Sequence, residues 1–260
     1  RTEKRQRPRM FKYVFLGANG SMQEEGSGNT SLLFSDGVSS LLVDASVNIH
    51  AAVEANIDAV VITHEHIDHM YALPSLLHQL WLSKRTKPLV IICPDGVRSI
   101  VNGLIDNFAI RSKKGIFDIV FETADHNRVG SMDIEFFKTV HTPNSVGMVV
   151  GEATGGNLEN TKKVVYTCDT APMENPKDSL PACAFGPDVL IHEANSVSDV
   201  RKPDHSSGLD AARLALDLDA KRLVLCHLPK GDAAKQAILE EARSLYPKAE
   251  LPIVMKEETV

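Results

Sequence analysis

The chain has 260 residues, 43% of them hydrophobic and 24% charged, a balance that allows a sizeable core and excludes collagen, coiled coils and wholesale disorder. Its 34 acidic residues and 28 Lys and Arg residues give a net charge of −6, opposite in sign to proteins whose main task is to grip a nucleic-acid backbone. No apolar run approaches the ~20 residues that cross a bilayer, so we expect no membrane segment.

Four cysteines are spread along the chain without a Cys-x-x-Cys pair: Cys93, Cys168, Cys183 and Cys226. We interpret them as free thiols of a reducing compartment, which predicts a cytoplasmic protein. Residues 1–9 carry five basic groups and no hydrophobic residue. We therefore expect a disordered basic tail there, with a nucleic-acid-binding arm as the alternative. Residues 10–260 are expected to form a single domain.

The first half of the chain alternates short apolar runs with turns. Strands are predicted over residues 12–16, 31–34, 40–43, 58–63 and 89–92, with a hairpin turn at Asp36-Gly37. A helix is predicted over residues 69–82, because large apolar residues recur there at helical spacing.

The second half repeats this theme. Strands are predicted over residues 116–121, 132–140, 146–150, 163–166, 189–192 and 222–226, and helices over residues 207–218 and 233–246. Two halves that each form a sheet with helices outside predict an α/β protein, a four-layer αββα sandwich.

The densest chemical feature is the segment Thr63-His64-Glu65-His66-Ile67-Asp68-His69, between a predicted strand and a predicted helix. Alternate residues of an extended segment point the same way, so His64 and His66 can converge on one metal ion. Asp68 and His69 lie where the chain turns into the helix and face elsewhere, so they can serve a second ion. The segment therefore predicts a metal site.

Other metal-capable side chains directly follow predicted strands, namely His141, Asp169 and His227. Burying a carboxylate at the end of a strand costs free energy unless the charge has a partner. A position between two cations would supply such a partner. The remaining candidates, His50, His78 and His126, lack such companions, and we interpret them as ordinary histidines.

These residues resemble the dinuclear site of the metallo-β-lactamase-fold hydrolases. The resemblance spans nearly the whole chain and is greatest to ribonuclease Z and its phosphodiesterase relatives. Cys168-Asp169-Thr170 resembles the Gly-Asp-Thr segment of this group, and two further segments narrow the resemblance to it: His192-Glu193-Ala194 and His205-Ser206-Ser207.

The resemblance implies two divalent ions with a defined set of ligands: His64, His66 and His141 for one ion, Asp68, His69 and His227 for the other, and Asp169 bridging both. Zinc suits such imidazole-rich sites, and Mn²⁺ or Fe²⁺ also suits this carboxylate content. The resemblance further implies that a hydroxide between the metals attacks phosphorus. In that scheme Asp68 orients the hydroxide, His205 assists the leaving group, and Glu193 holds His205.

Two departures from ribonuclease Z bear on the substrate. Those enzymes carry a basic, glycine-rich arm that grips transfer RNA, commonly between the positions matching His141 and Asp169. Here these residues are only 28 positions apart, and residues 151–161 contain no Lys or Arg, so we expect no arm. Bulky residues in the metal motif, at Ile67 and Met70-Tyr71, are expected to line the mouth of the site and shift its specificity.

Together these features predict a phosphodiesterase for small or cyclic phosphate diesters. Its expected partner is a small phosphate ester, and neither nucleic acid nor a membrane is expected to bind. The oligomeric state is open, and a homodimer fits the resemblance. One alternative is hydrolysis of C–O or C–N bonds, as by lactonases and β-lactamases. A second is RNA 3′-processing without the arm. A third is a binding protein that keeps the metal site without turnover.

Overall fold

The computed structural model describes residues 11–152 and 158–260. The predicted disordered tail, residues 1–9, lies outside the described residues, as does the loop around Gly155-Gly156. The single-domain boundary stays a prediction.

The first sheet is built almost entirely by the first half of the chain. Its strands are β1 (Lys12–Gly17), β2 (Ser31–Ser35), β3 (Ser40–Val43), β4 (Ala59–Val61), β5 (Leu89–Cys93), β6 (Ile119–Thr123) and β14 (Glu257–Thr259), in the order β14-β1-β2-β3-β4-β5-β6. The pairings from β14 to β3 are antiparallel and those from β3 to β6 are parallel. The antiparallel pair β2 and β3 confirms the hairpin predicted at Asp36-Gly37.

The second sheet repeats this plan. Its strands are β7 (His126–Val129), β8 (Met132–Lys138), β9 (Val146–Glu152), β10 (Lys163–Tyr166), β11 (Val189–Glu193), β12 (Leu223–Cys226) and β13 (Ala249–Glu250), in the order β13-β12-β11-β10-β9-β8-β7. The pairings from β7 to β10 are antiparallel and those from β10 to β13 are parallel. Parallel strands end at the same edge of a sheet, so the segments after them meet there.

Seven α-helices accompany the sheets in the described residues: α1 (His50–Glu54), α2 (Ile67–Met70), α3 (Leu73–Leu82), α4 (Asp95–Asn107), α5 (Pro176–Ser179), α6 (Gly208–Asp217) and α7 (Asp232–Leu245). None of these helices is both long and apolar enough to cross a membrane. The helix predicted over 69–82 is two helices, because Pro74 lies at the start of α3, where its missing N–H is tolerated. The sequence analysis missed α4, whose buried face is Val97, Val101 and Ile105.

Three apolar clusters hold the layers together. One lies between the sheets and includes Phe34 and Tyr166. A second packs α3 and α4 against the first sheet, and a third packs α6 and α7 against the second sheet. The order helix, sheet, sheet, helix confirms the predicted four-layer αββα sandwich.

A buried histidine in β11 provides a test of the second sheet. His192 is buried and its Nδ1 donates to the Glu193 carbonyl oxygen at 2.7 Å. Burial lowers the pKa of His192 to about 4, whereas an unfolded histidine titrates near pH 6.5. Between about pH 6.5 and 4, His192 is therefore protonated in the unfolded chain but neutral in the folded chain. The folded state loses stability as the pH falls through this range.

For His192→Asn, whose amide can keep the donated hydrogen bond, we expect this loss to disappear. Between pH 6.5 and 5 the wild-type free energy of unfolding should fall about 2 kcal/mol more than that of the variant. Denaturant unfolding of both proteins at several pH values measures the difference. Parallel stability curves would show that His192 does not titrate in this way.

Candidate metal centre and active site

The candidate site lies where strands of both sheets end. The predicted ligands follow β4, β8, β10 and β12, and the structure brings all seven together. Three strands are followed within two residues by a residue with positive φ, a conformation uncommon outside glycine. These residues are Asp44 after β3, Cys168 after β10 and His227 after β12. Backbone strain of this kind clusters at functional sites, where the fold overrides local preference.

One group of ligand atoms comes from His64, His66, His141 and Asp169, all within 4.8 Å of one another. His66 Nδ1 lies 3.0 Å from His141 Nε2. Asp169 Oδ2 lies 3.9 Å from His64 Nε2 and 3.7 Å from His141 Nε2. Ligand atoms around a tetrahedral zinc ion are about 3.4 Å apart, given bonds of about 2.1 Å. The spacing therefore fits one ion.

A second group consists of Asp68, His69 and His227. Asp68 Oδ2 is 3.7 Å from His69 Nε2 and 3.5 Å from His227 Nε2. Asp169 Oδ2 also faces this group, at 3.4 Å from His69 Nε2 and 3.1 Å from His227 Nε2. The carboxylate of Asp169 is thus shared by both groups, which is the geometry of a bridging ligand.

Orphaned polar atoms converge at the centre of these two groups. In the described part of the chain, six buried side-chain nitrogen or oxygen atoms lack a hydrogen-bond partner, and four of them are His64 Nε2, His69 Nε2, His227 Nε2 and Asp169 Oδ1. A buried polar atom without a partner is costly, and native proteins rarely leave several together. The donor set therefore fits two divalent cations.

The charges in the site are strongly coupled. Burial and the neighbouring His69 hold the pKa of His64 well below 6.5, so its imidazole stays neutral as a ligand must. Burial also opposes the charged form of His69, but the carboxylates of Asp169 and Asp44 raise its pKa well above 6.5. For Asp169, burial is outweighed by His227 and His69, which hold its pKa well below the ordinary value. The site is thus a carboxylate surrounded by imidazoles.

A buried aspartate that the sequence analysis did not assign to the site orients two of these imidazoles. His69 Nδ1 donates to Asp44 Oδ2 at 2.7 Å, and Thr63 Oγ1 donates to the same carboxylate at 3.0 Å. Thr63 Oγ1 is in turn 3.1 Å from His64 Nδ1. Such contacts fix the ring orientation and leave Nε2 for a metal. The signal was present, because Asp44 follows β3 as Asp169 follows β10.

The predicted catalytic pair lies beside the predicted metal ligands. His205 is buried and its Nδ1 lies 3.0 Å from Glu193 Oε1 and 3.1 Å from Oε2. Its ring stacks on that of His227, with centroids 5.2 Å apart. Burial and the charge of Asp169 raise the pKa of Glu193 well above its ordinary value. The contact between the buried Glu193 carboxyl and Nδ1 fixes the orientation of the His205 ring and leaves its Nε2 available for chemistry.

Local structure fixes the loop that carries His205. Ser207 caps α6 in a capping box with Asp210. Arg201 Nη1 donates to the His205 carbonyl oxygen at 3.3 Å. The Asp204 carbonyl oxygen accepts from His141 Nδ1 at 2.9 Å, which ties this loop to a predicted metal ligand.

The family model described as a beta-lactamase superfamily domain matches residues 39–228, which include every predicted ligand and both His205 and Glu193. The chain belongs to the β-lactamase superfamily. The fold of this superfamily implies divalent metal ions, in agreement with the two ligand groups.

Among curated relatives, the chain is 23% identical to ribonuclease Z of Metallosphaera sedula, over 94% of this chain and 97% of that protein. It is 25% identical to ribonuclease Z of Sulfolobus acidocaldarius, over 94% and 96% of the two chains. These matches and the family model confirm the predicted resemblance to the ribonuclease Z group.

Solved structures confirm the fold. The metallo-β-lactamase-fold protein YhfI of Bacillus subtilis superposes with a TM-score of 0.78 at 23% identity, over 97% of this chain and 100% of that chain. The short form of human tRNase Z gives 0.73 at 20% identity, over 95% and 98% of the two chains. A diphosphatase of the PhnP family gives 0.68 at 14% identity, over 95% and 97%.

The mouth of this superfamily site agrees in part with the prediction. Ile67 is 76% exposed and Tyr71 is 39% exposed, so both are accessible beside Asp68. Met70 does not line the mouth: it is 3% exposed and packs into the core between the first sheet and its helices. The turn of α2 points its side chain inward, and the sequence pattern alone did not define that turn. Ser21, also missed, donates to Asp68 Oδ2 at 3.1 Å.

Glu65 links two segments that carry predicted metal ligands. Its Oε2 accepts from Thr142 Oγ1 at 3.0 Å and its Oε1 accepts from Asn144 Nδ2 at 3.3 Å. These bonds link the loop of His141 to that of His66. Because partners behind metal ligands typically set affinity by 10–100-fold, we expect Glu65→Ala to weaken the binding of one of two ions by about that factor.

The measurement is a competition titration against a chromophoric chelator, which resolves the two ions. Glu65→Gln keeps an acceptor for Thr142 and should recover most of the affinity. Glu54→Ala, at the exposed end of α1, is the matched control. Equal affinities in wild type and Glu65→Ala would show that Glu65 does not position the ligands.

Proposed function

We propose that the protein is a two-metal phosphodiesterase that hydrolyses small phosphate diesters. The observation that carries the proposal is the His205–Glu193 pair, with Nδ1 at 3.0 Å from Oε1, beside two groups of metal-capable side chains that share Asp169. In this proposal His64, His66 and His141 hold one ion, Asp68, His69 and His227 the other, and Asp169 bridges them. Zinc is the expected metal, with Mn²⁺ and Fe²⁺ as further candidates.

Two divalent cations at such a site attract the phosphate oxygens and make water a nucleophile near neutral pH. The side chains of this protein then divide the remaining work. Asp68 orients the attacking water, while Ser21 holds Asp68 by its hydrogen bond. His205 donates a proton from Nε2 to the leaving oxygen, and Glu193 keeps the imidazole aligned. The products are a phosphate monoester and an alcohol.

The second candidate is RNA processing, because the curated relatives are named ribonuclease Z. The alignment with the first relative extends over 295 positions, more than the 260 residues of this chain, so this chain lacks segments that the relative has. Only residues 153–162 connect β9 to β10, where the transfer-RNA arm was expected to be absent. This short connection and the net charge of −6 favour a small diester over transfer RNA.

Hydrolysis of a carbonyl compound, as in the lactonase and β-lactamase branches, is supported less well. Ring strain assists departure of the leaving group from a lactone or lactam, so that reaction depends little on a proton donor. An unactivated phosphate diester has a poor alkoxide leaving group and needs a proton donor at the leaving oxygen. His205 is such a donor, held by a dedicated carboxyl.

A substrate comparison tests the proposal. The metal-loaded protein is assayed with bis-p-nitrophenyl phosphate, p-nitrophenyl acetate, a homoserine lactone and a precursor transfer RNA. We expect the diester to be turned over with the highest kcat/KM. Preference for the ester or lactone would overturn the phosphodiesterase, and efficient cleavage of the precursor would replace it by the RNA-processing candidate.

A further inference from the structure

Different side chains lie on the two sides of the metal centre. Exposed apolar side chains surround Asp68: Ile67 precedes it, Tyr71 follows it by three residues, and Met22, 66% exposed, follows Ser21, which contacts it. Residues three and four apart on a helical turn lie side by side, so Ile67 and Tyr71 flank the same face. Tyr71 is tied to the loop of Met22 by a 2.8 Å hydrogen bond between Gln23 Nε2 and its hydroxyl.

A pocket of about 330 Å³ opens next to Tyr71. The residues that line it include Tyr71, Pro74, Phe108 and Ile110, together with His78 and Lys113. Phe108, which directly follows α4, is 62% exposed although it is aromatic. The cation of Lys113 is engaged, since its Nζ lies 4.9 Å from the centroid of the Trp81 ring. The size and apolar walls suit a small ring-containing group.

The His205 side of the centre combines charged and apolar side chains. A cleft of about 550 Å³ there is lined by the charged residues Arg201, Glu174 and Asp178 and by apolar residues such as Val140 and Met173. Arg201 also donates to the His205 carbonyl oxygen. A hydroxylated leaving group suits this side, where His205 can protonate its oxygen. The substituent that remains on phosphorus then lies toward Asp68 and Tyr71.

We propose that the Tyr71–Phe108 pocket binds an aromatic ring on the substituent that stays attached to phosphorus after cleavage. This rests on the proposed phosphodiesterase function and names its substrate class: diesters that carry an aryl ring or a nucleobase on the retained side. Two aromatic residues that line one pocket favour a flat ring over an alkyl chain, because rings gain from stacked or edge-to-face contact.

The test uses two diesters with the same leaving group, phenyl p-nitrophenyl phosphate and methyl p-nitrophenyl phosphate. We expect the metal-loaded protein to prefer the phenyl diester about tenfold in kcat/KM, mainly through KM. Phe108→Ala and Tyr71→Ala should each reduce this preference several-fold, in line with the loss of one ring-stacking contact. Tyr71→Phe keeps the ring and should retain the preference. Ile100→Ala, also exposed on α4 but outside the pocket, is the matched control.

The outcomes separate this inference from the proposed function. Equal kcat/KM for both diesters, or a preference that Phe108→Ala leaves unchanged, would overturn the pocket assignment while the phosphodiesterase stands. If neither diester is hydrolysed, the proposed function fails. Calorimetry with phenylphosphonate and methylphosphonate then still decides the pocket, and equal affinities would overturn it. If the wild-type protein is a dimer, and Phe108→Ala is monomeric but keeps the preference for the phenyl diester, the pocket instead binds a second copy of the chain.

Discussion

Replacing Asp169 with alanine is expected to remove bound metal and diester hydrolysis together. Its Oδ2 lies between 3.1 and 3.9 Å from ring nitrogens of His64, His69, His141 and His227. The same oxygen therefore faces both ligand groups. Without Asp169, the two groups of imidazoles no longer share a carboxylate, so both ions lose a ligand at once.

We expect fewer than one ion per chain in Asp169→Ala and a loss of turnover on the order of a thousandfold or more, because the metals supply most of the charge stabilisation. Inductively coupled plasma mass spectrometry and bis-p-nitrophenyl phosphate turnover measure the two effects. Asp118→Ala, an exposed aspartate, is the control. An Asp169→Ala protein that keeps two tightly bound ions would contradict the bridging assignment.

Replacing His205 with alanine is expected to slow hydrolysis while both ions stay bound. Its Nδ1 is held by Glu193, and proton donation to a leaving group contributes typically 10²–10⁴-fold. The loss should depend on the leaving group, since p-nitrophenolate departs readily without a proton and an unactivated phenolate does not. We therefore expect a small loss with bis-p-nitrophenyl phosphate and a loss of about 10²–10⁴ with diphenyl phosphate.

The measurement is kcat for both diesters in wild type, His205→Ala and Glu193→Gln, with metal content determined on each sample. Glu193→Gln keeps a hydrogen-bond acceptor for the imidazole and should lose less than His205→Ala. Equal losses for both leaving groups would show that His205 does not act as the proton donor. A fall in metal content would instead place His205 among the groups that support the metals.

Much of the fold could be predicted because it depends on local patterns. Short apolar runs such as 40–43 and 163–166 are buried strands, and their pairing into two sheets follows from their alternation with helices. The main omission, α4, has apolar residues at helical spacing, Val97, Ile100, Val101, Leu104 and Ile105, but it also contains Gly96 and Gly103. Glycine weakens helical propensity, so tertiary packing against the first sheet, rather than local preference, stabilises this helix.

The site was predictable to the extent that its residues are marked by type and position. The seven proposed ligands follow strands or lie in one dense motif, and they meet in the structure. Contacts between distant segments carry no such mark: Glu65 and Thr142 are 77 positions apart, and Ser21 and Asp68 are 47 apart. The burial of Met70 depends on the exact turn of α2 against the core, which residue type alone does not define.

The most direct test of the two-metal phosphodiesterase is a titration of metal-depleted protein with Zn²⁺, following bound metal and bis-p-nitrophenyl phosphate turnover in the same samples. Two ligand groups that share Asp169 predict that turnover rises until two equivalents per chain are bound and then stays constant. Full activity at one equivalent, or no diester hydrolysis with both ions bound, would contradict it.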